Sequence, residues 1–425
     1  MRVHGTLRPP GDKSISHRAL MIAALARGTS RLDGLLTGDD VRTTARVLRQ
    51  LGVRVSPIRA GSAVAVRGGR LTPPVSPLHC GNSGTTARLA LGLLAAQPLA
   101  ARLTGDASLR RRPMRRITEP LTRMGARFEP PDAATLPLTI HGGKLHGITY
   151  DSPVASAQVK GALLLAALAG RVAVTLREPY RSRDHTERLL VHLGLELHAG
   201  PSAVSFQPSA GAGVPAFDLT IPGDASSAAF LVGAAILAEA GELMIENVGL
   251  NPTRTGFLAV LGRMGARIDR VNLHDSGGEP VGDLLVRPAP LRGTEIPAAE
   301  IPTLIDEIPI LAVLASRAAG TTVFHEAGEL RVKESNRLEL VAANLRALGV
   351  EAEARGDDLH VRGTDRPPHG RVETAADHRL AMAFAVLGTL PEADVRLSER
   401  RSVGISYPAF FRDLRRMGRD ARHRD

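Results

Sequence analysis

The sequence predicts an α/β protein of two similar halves, each assembled from three repeated units around buried helices. Three observations carry that expectation. A helix-like stretch ending in Leu or Met, then Gly, then a short alternating strand recurs at Gly52, Gly125, Gly194, Gly265, Gly349 and, in degenerate form, Gly418. Between these signatures lie further helices that are apolar nearly all round but polar at their starts. Finally, "PPGDKSISHRALMIAALARG" from Pro9 aligns with "IPGDASSAAFLVGAAILAEAG" from Ile221, half the chain away.

Each signature has a local cause. Glycine tolerates the left-handed conformation that closes a helix, so Leu-Gly or Met-Gly followed by alternating apolar residues reads as helix stop and strand start. The helices beginning "KSISHRAL", "GNSGTTARL", "SAQVKGALLL", "SSAAFLVG", "IDEIPILA" and "DHRLAMAF" carry no polar face, which predicts burial. The Pro10-Gly11 and Pro222-Gly223 turns predict crossovers near 9–13 and 221–225. The first domain is therefore expected at 10–222 and the second at 1–9 plus 223–425. An ordinary doubly wound sheet also alternates helices and strands. It does not explain six glycine-marked repeats or the half-chain match.

A chain of 425 residues exceeds one ordinary core. Its net charge of +11 suggests an anionic partner, yet no basic block is interleaved with aromatics, and 3 Tyr, 9 Phe and no Trp leave few surfaces for stacking bases. The lone Cys80 excludes an internal disulfide framework and suits a reducing compartment. No stretch such as "GALLLAALAG" is long enough to span a bilayer, so a cytoplasmic protein is expected. The basic end "RRMGRDARHRD" reads as a frayed tail or a surface helix.

The polar helix starts point to chemistry. A helix N-terminus offers unpaired amides and a positive dipole end, which suits phosphate or carboxylate. Plain N-capping by Ser, Thr, Asn or Asp would give similar sequences. Capping does not call for the nearby cations Lys13, Arg18, Arg88, Arg112, Lys160, Arg183, Lys333, Arg337 and Arg379. "GNSGTT" lacks the GK[ST] ending of a phosphate loop, no G-x-G-x-x-G opens a first helix, and HExxH and CxxC are absent, so nucleotide cofactors and metals are not indicated. His185 and His192 in "HTERLLVH" read as core or surface histidines.

These residues are similar to those of the 5-enolpyruvylshikimate-3-phosphate (EPSP) synthase family. Ten ordered segments carry the resemblance: "PGDKSISHRAL", "GNSGTTARL", "GDASLRRRPM", "SAQVKGALLLA", "SRDHTE", "PGDASSAAF", "NPTRTG", "IDEIPILA", "RVKESNR" and "DHRLAM". The resemblance implies two domains of three βαβαββ units each, an inside-out α/β barrel. It implies transfer of the enolpyruvyl group of phosphoenolpyruvate to the 5-hydroxyl of shikimate-3-phosphate in the shikimate pathway, by addition and elimination, with no cofactor and no metal. A cytoplasmic monomer with small-molecule substrates, and with neither nucleic acid nor membrane as partner, is the corresponding expectation.

Carried over by position, Lys13 touches both substrates. Ser14, Arg18, Ser156, Ala157, Gln158, Arg183, Asp306 and Lys333 serve shikimate-3-phosphate. Gly84, Arg112, Gln158, Arg337 and Arg379, with Lys13, serve phosphoenolpyruvate. Asp306 is expected to handle the hydroxyl proton, Glu334 the proton at C3, and Lys13 the departing phosphate. If "VKESNR" is helical, Lys333 and Arg337 share a face.

Three positions bear on these roles. Ile405 stands about where some members place a lysine, Asn336 stands where the family usually has Asp, and Gly84 keeps the small residue compatible with binding of the inhibitor glyphosate. Two other readings compete. A UDP-N-acetylglucosamine enolpyruvyl transferase typically carries a loop cysteine near the match to "SLRRRPM", which this chain lacks. A non-catalytic nucleic-acid binder would suffer repulsion from Asp306 and Glu334 among its cations.

Overall fold

The computed structural model describes residues 1–209 and 213–418, which form two compact units. One comprises Gly11–Ile221 with Ser276–Glu279. The other comprises Met1–Pro10, Pro222–Asp275 and the chain from Pro280 onward. Each unit has its own apolar core.

The six apolar stretches fold as helices Lys13–Leu25, Gly84–Ala95, Ala157–Gly170, Ala225–Ile236, Ile308–Ala315 and His378–Leu387. Their lack of a polar face is matched by burial on all sides, and every residue of Ala225–Ile236 is buried. In the first unit, Gly84–Ala95 and Ala157–Gly170 pack so closely that a Cβ on Gly92 would lie 2.1 Å from the Ala162 carbonyl oxygen. The fifth helix is shortened. A 3-10 turn, Ile305–Glu307, precedes it, and Pro309 falls in its first turn, where a missing N–H costs little.

The signature glycines terminate the outer helices. Gly52, Gly125, Gly194, Gly265 and Gly349 have φ of 87°, 115°, 79°, 95° and 81°, the left-handed region expected of a helix-closing glycine. After the helix Asp39–Gln50, for example, the Gly52 and Val53 amides donate to the carbonyls of Arg49 and Leu48 at 3.0 Å each, and the strand Arg54–Val55 follows. The last repeat has the helix Phe410–Arg416, which includes the first two arginines of the basic end. Residues 419–425 lie outside the described part of the chain, so the reading of a tail or surface helix there is not addressed.

The repeat itself is strand, buried helix, parallel strand, outer helix and closing hairpin. Around Gly84–Ala95, Leu78–His79 pairs parallel with Ala100–Thr104. That strand pairs antiparallel with Leu138–His141, which pairs in turn with Arg127–Glu129. Four other repeats build the same four-stranded sheet. The sixth keeps only the parallel pair His369–Val372 and Asp394–Leu397 among the described residues. In two repeats the first strand comes from beyond a crossover: Thr6–Leu7 pairs with Met244–Ile245, and Asp218–Thr220 pairs with Arg31–Asp33.

Candidate active site

In the unit built on Gly11–Ile221, three buried helices open with capped, cation-bearing starts. Asp12 caps the first by accepting from the Ile15 amide at 2.8 Å, so plain capping does operate here. Lys13 is then the first helical residue, and its Nζ lies 3.2 Å from Asp40 Oδ2. Arg18, one turn further on, is buried. It donates to Thr186 Oγ1 at 2.7 Å, to the Ser14 carbonyl at 3.0 Å and to the Ala157 carbonyl at 3.1 Å. Burial pulls Arg18 down to about 10, still charged at neutral pH. Burial, and then the charges of Lys13 and Arg18, hold the neighbouring His17 well below its ordinary value, so it is neutral. Its Nδ1 meets Thr44 Oγ1 at 2.7 Å.

Ser83 caps the second helix through the Thr86 amide at 3.1 Å. The cap leaves Gly84 as its first residue, beside two guanidinium groups: a Cβ there would come within 3.0 Å of Arg88 Nη1 and 3.3 Å of Arg112 Nη1. Arg112 donates to the Asn82 carbonyl at 3.2 Å and to Ser108 Oγ at 3.3 Å. Arg88 donates to Gln158 Oε1 and to the Pro113 carbonyl, and Gln158 donates to Thr85 Oγ1 at 3.0 Å. Sequence reasoning noted Arg88 as a nearby cation but gave it no site role. Its position one helical turn after Gly84 was the available signal.

Ser156 caps the third helix through the Val159 amide, and Ser156, Ala157 and Gln158 are all half-buried. Lys160 is instead sunk in the core, with its Nζ 2.8 Å from Glu178 Oε1 and 2.9 Å from Glu187 Oε1. Arg183 is half-buried in the loop before the helix His185–His192. His185 is a core histidine paired with Glu279 at 2.7 Å, whereas His192 is exposed. Burial pushes the Cys80 thiol up to about 12, so it is a core thiol and no nucleophile.

The other unit gathers Asp306, Glu334, Arg337 and Arg379 around buried charge pairs. Arg337 is 1% exposed and begins the helix Arg337–Ala347. It donates to Asp377 at 2.7 and 3.3 Å, to Asp306 Oδ1 at 3.2 Å and to Glu334 Oε2. Burial opposes its charge, but Asp377, Glu334 and Asp306 outweigh that and raise its pKa above the ordinary arginine value. Arg379 donates to the Asp306 carbonyl at 2.9 Å and lies 3.7 Å from Asp306 Oδ2 and 3.6 Å from Glu307 Oε1. Four carboxylates thus face two guanidinium groups, so this half is no plain cation patch.

The condition placed on "VKESNR", that it be helical, is not met. Lys333 is half-buried but extended, with φ −78° and ψ −151°, and the helix starts only at Arg337, so the two do not share a helical face. Asn336 is the reason: it caps that helix by accepting from the Glu339 amide at 3.3 Å. Arg337 is held by carboxylates rather than by position 336. Asp377 and Glu307 escaped sequence reasoning as site residues because their partners are remote in the chain. Ile405 ends a 3-10 turn, Arg401–Ile405. Among the described residues no cluster of three His, Cys, Asp or Glu side chains could hold a metal, and no helix is long and apolar enough to cross a membrane.

The sequence model of the family described as EPSP synthase (3-phosphoshikimate 1-carboxyvinyltransferase) matches residues 1–414. A 3-phosphoshikimate 1-carboxyvinyltransferase of Xanthomonas campestris pv. campestris is 48% identical over 413 residues, covering 96% of this chain and 93% of the relative. The EPSP synthase of Acinetobacter baumannii superposes with a TM-score of 0.86 at 37% identity, covering 98% of this chain and 96% of that one. The enolpyruvyl transferase NikO from Streptomyces tendae shares the fold, with a TM-score of 0.77 at 20% identity over 99% of this chain and 96% of its own.

Proposed function

The chain belongs to the EPSP synthase family, and from that premise we propose how its residues divide the work of the reaction. It transfers the enolpyruvyl group of phosphoenolpyruvate to shikimate-3-phosphate and releases phosphate, a step of the shikimate pathway. The two substrates bring two phosphates and two carboxylates, about six negative charges near neutral pH. Lys13, Ser14, Arg18, Ser156, Ala157, Gln158 and Arg183, with Asp306 and Lys333, bind shikimate-3-phosphate. Lys13, Gly84, Arg112, Gln158, Arg337 and Arg379 bind phosphoenolpyruvate.

In the addition step Asp306 takes the proton of the 5-hydroxyl as its oxygen attacks C2, and Glu334 delivers a proton to C3. In the elimination step that proton returns to Glu334, the C2–O bond to phosphate breaks, and Lys13 neutralises the leaving group. The observation that best supports this reading is the grip of one arginine, Arg337, on both Asp306 and Glu334. An acid held by a guanidinium resists protonation. A phosphoenolpyruvate carboxylate arriving at Arg337 competes for the same cation and restores the affinity of Glu334 for a proton.

The reading extends to a cytoplasmic monomer, and the single buried thiol suits such a reducing compartment. The test is phosphate release with both substrates present. Release that requires both and fails with UDP-N-acetylglucosamine is the expected result; salt-sensitive nucleic-acid binding without phosphate release would overturn it.

Gly84 gives a second test. In Gly84→Ala the added methyl presses on Arg88 and Arg112, so KM for phosphoenolpyruvate should rise about tenfold, equivalent to weakening one charged hydrogen bond. Competitive inhibition by glyphosate should weaken with it. An unchanged KM would remove Gly84 from this site.

A further inference from the structure

We propose that Glu307 is a positioning residue that orients Arg379 for phosphoenolpyruvate. The inference rests on the reading of Arg379 as a phosphoenolpyruvate ligand. Asp306 and Glu307 are neighbours in one 3-10 turn, yet their carboxylates diverge: the Asp306 side chain is 13% exposed and that of Glu307 only 1%. A carboxylate so deeply buried needs partners, and the established chemistry assigns it none.

Its surroundings define its task. Glu307 Oε1 accepts from Ser226 Oγ and lies 3.6 Å from Arg379 Nη1. Ser226 Oγ in turn accepts from Arg254 Nη2 at 2.5 Å, which commits the hydroxyl proton to Glu307. Arg254 lies 3.5 Å from Asp224, the cap of the helix Ala225–Ile236. Glu307 is therefore anchored on one side through a serine to a buried arginine and faces Arg379 on the other. On Arg379, Nη1 is occupied by the Asp306 carbonyl and approached by Glu307. Fixing Nη1 inward sets the plane of the guanidinium and decides which edge it presents to an anion.

Steady-state kinetics of Glu307→Gln, Arg379→Lys and the double variant test the proposal. Glutamine keeps an oxygen for Ser226 but removes the charge facing Arg379. KM for phosphoenolpyruvate should rise about tenfold, with kcat and KM for shikimate-3-phosphate within about twofold and the melting temperature nearly unchanged. The double variant should lose less than the product of the single effects. An unchanged KM in Glu307→Gln beside a raised one in Arg379→Lys would overturn the positioning role alone. If Arg379→Lys also left KM unchanged, the assignment of Arg379 would fall and this proposal with it. Should Glu307→Gln fold poorly, Glu307→Asp keeps the charge but withdraws it, and the same selective rise in KM is expected; equal changes for both substrates would refute the idea.

Discussion

Phosphate release by the Asp306→Asn variant is expected to fall by about 10²- to 10⁴-fold, the usual contribution of one positioned acid-base group. Binding should survive the change, for reasons visible in the geometry. The asparagine amide oxygen can still accept from Arg337 Nη1, now at 3.2 Å from Asp306 Oδ1. Arg379 is held by the main-chain carbonyl of residue 306, which the substitution leaves in place. Asparagine cannot take up the hydroxyl proton. Calorimetric titration should give dissociation constants within a few-fold of the parent enzyme while turnover collapses; near-normal turnover would remove Asp306 from the mechanism.

The second large effect concerns stability. Arg337→Met should destabilise the protein by about 3–5 kcal/mol, because it removes one side of a buried charge cluster and strands the other. Asp377 is 0% exposed and would lose its hydrogen bonds at 2.7 and 3.3 Å while still capping the helix His378–Leu387 through the Arg379 amide. The pH dependence follows. Burial alone would push Asp377 up, but Arg337 outweighs it and holds the carboxyl below its ordinary 3.8. Its contribution is therefore present above that value and is lost as pH falls through the lower, folded one. In the variant the burial penalty loses its chief counterweight, so protonation relieves it. The stability gap between parent and variant, measured by denaturant unfolding, should narrow from pH 7 towards pH 4. A variant as stable as the parent at pH 7 would show that Arg337 does not hold this cluster together.

The sequence revealed what is decided locally. A glycine after a helical Leu or Met needs only its own backbone freedom to stop the helix, and five such glycines have that conformation. A stretch with no polar face has to be enclosed, and all six were. Asn336, which caps the helix starting at Arg337, was a local signal that went unread, since "VKESNR" was weighed as helical. The invisible part was non-local. Nothing around Thr6 announces a partner strand at Met244, and nothing around Arg337 announces Asp306 and Asp377. For the same reason the cations and two of their carboxylates, Asp306 and Glu334, were legible, but Asp377 and Glu307, which complete the buried cluster, were not. Glu307 shows the limit most clearly, since only its burial separates it from its neighbour Asp306.

The exchange of first strands also dictates an order of events during synthesis. Arg31–Asp33 leaves the ribosome long before Asp218–Thr220, and Thr6–Leu7 long before Met244–Ile245. Arg31–Asp33, paired early with Val64–Arg67, must therefore wait with one ladder edge uncovered, and Thr6–Leu7 with no partner strand at all, while at least most of a domain is translated, the situation in which nascent chains aggregate or recruit chaperones.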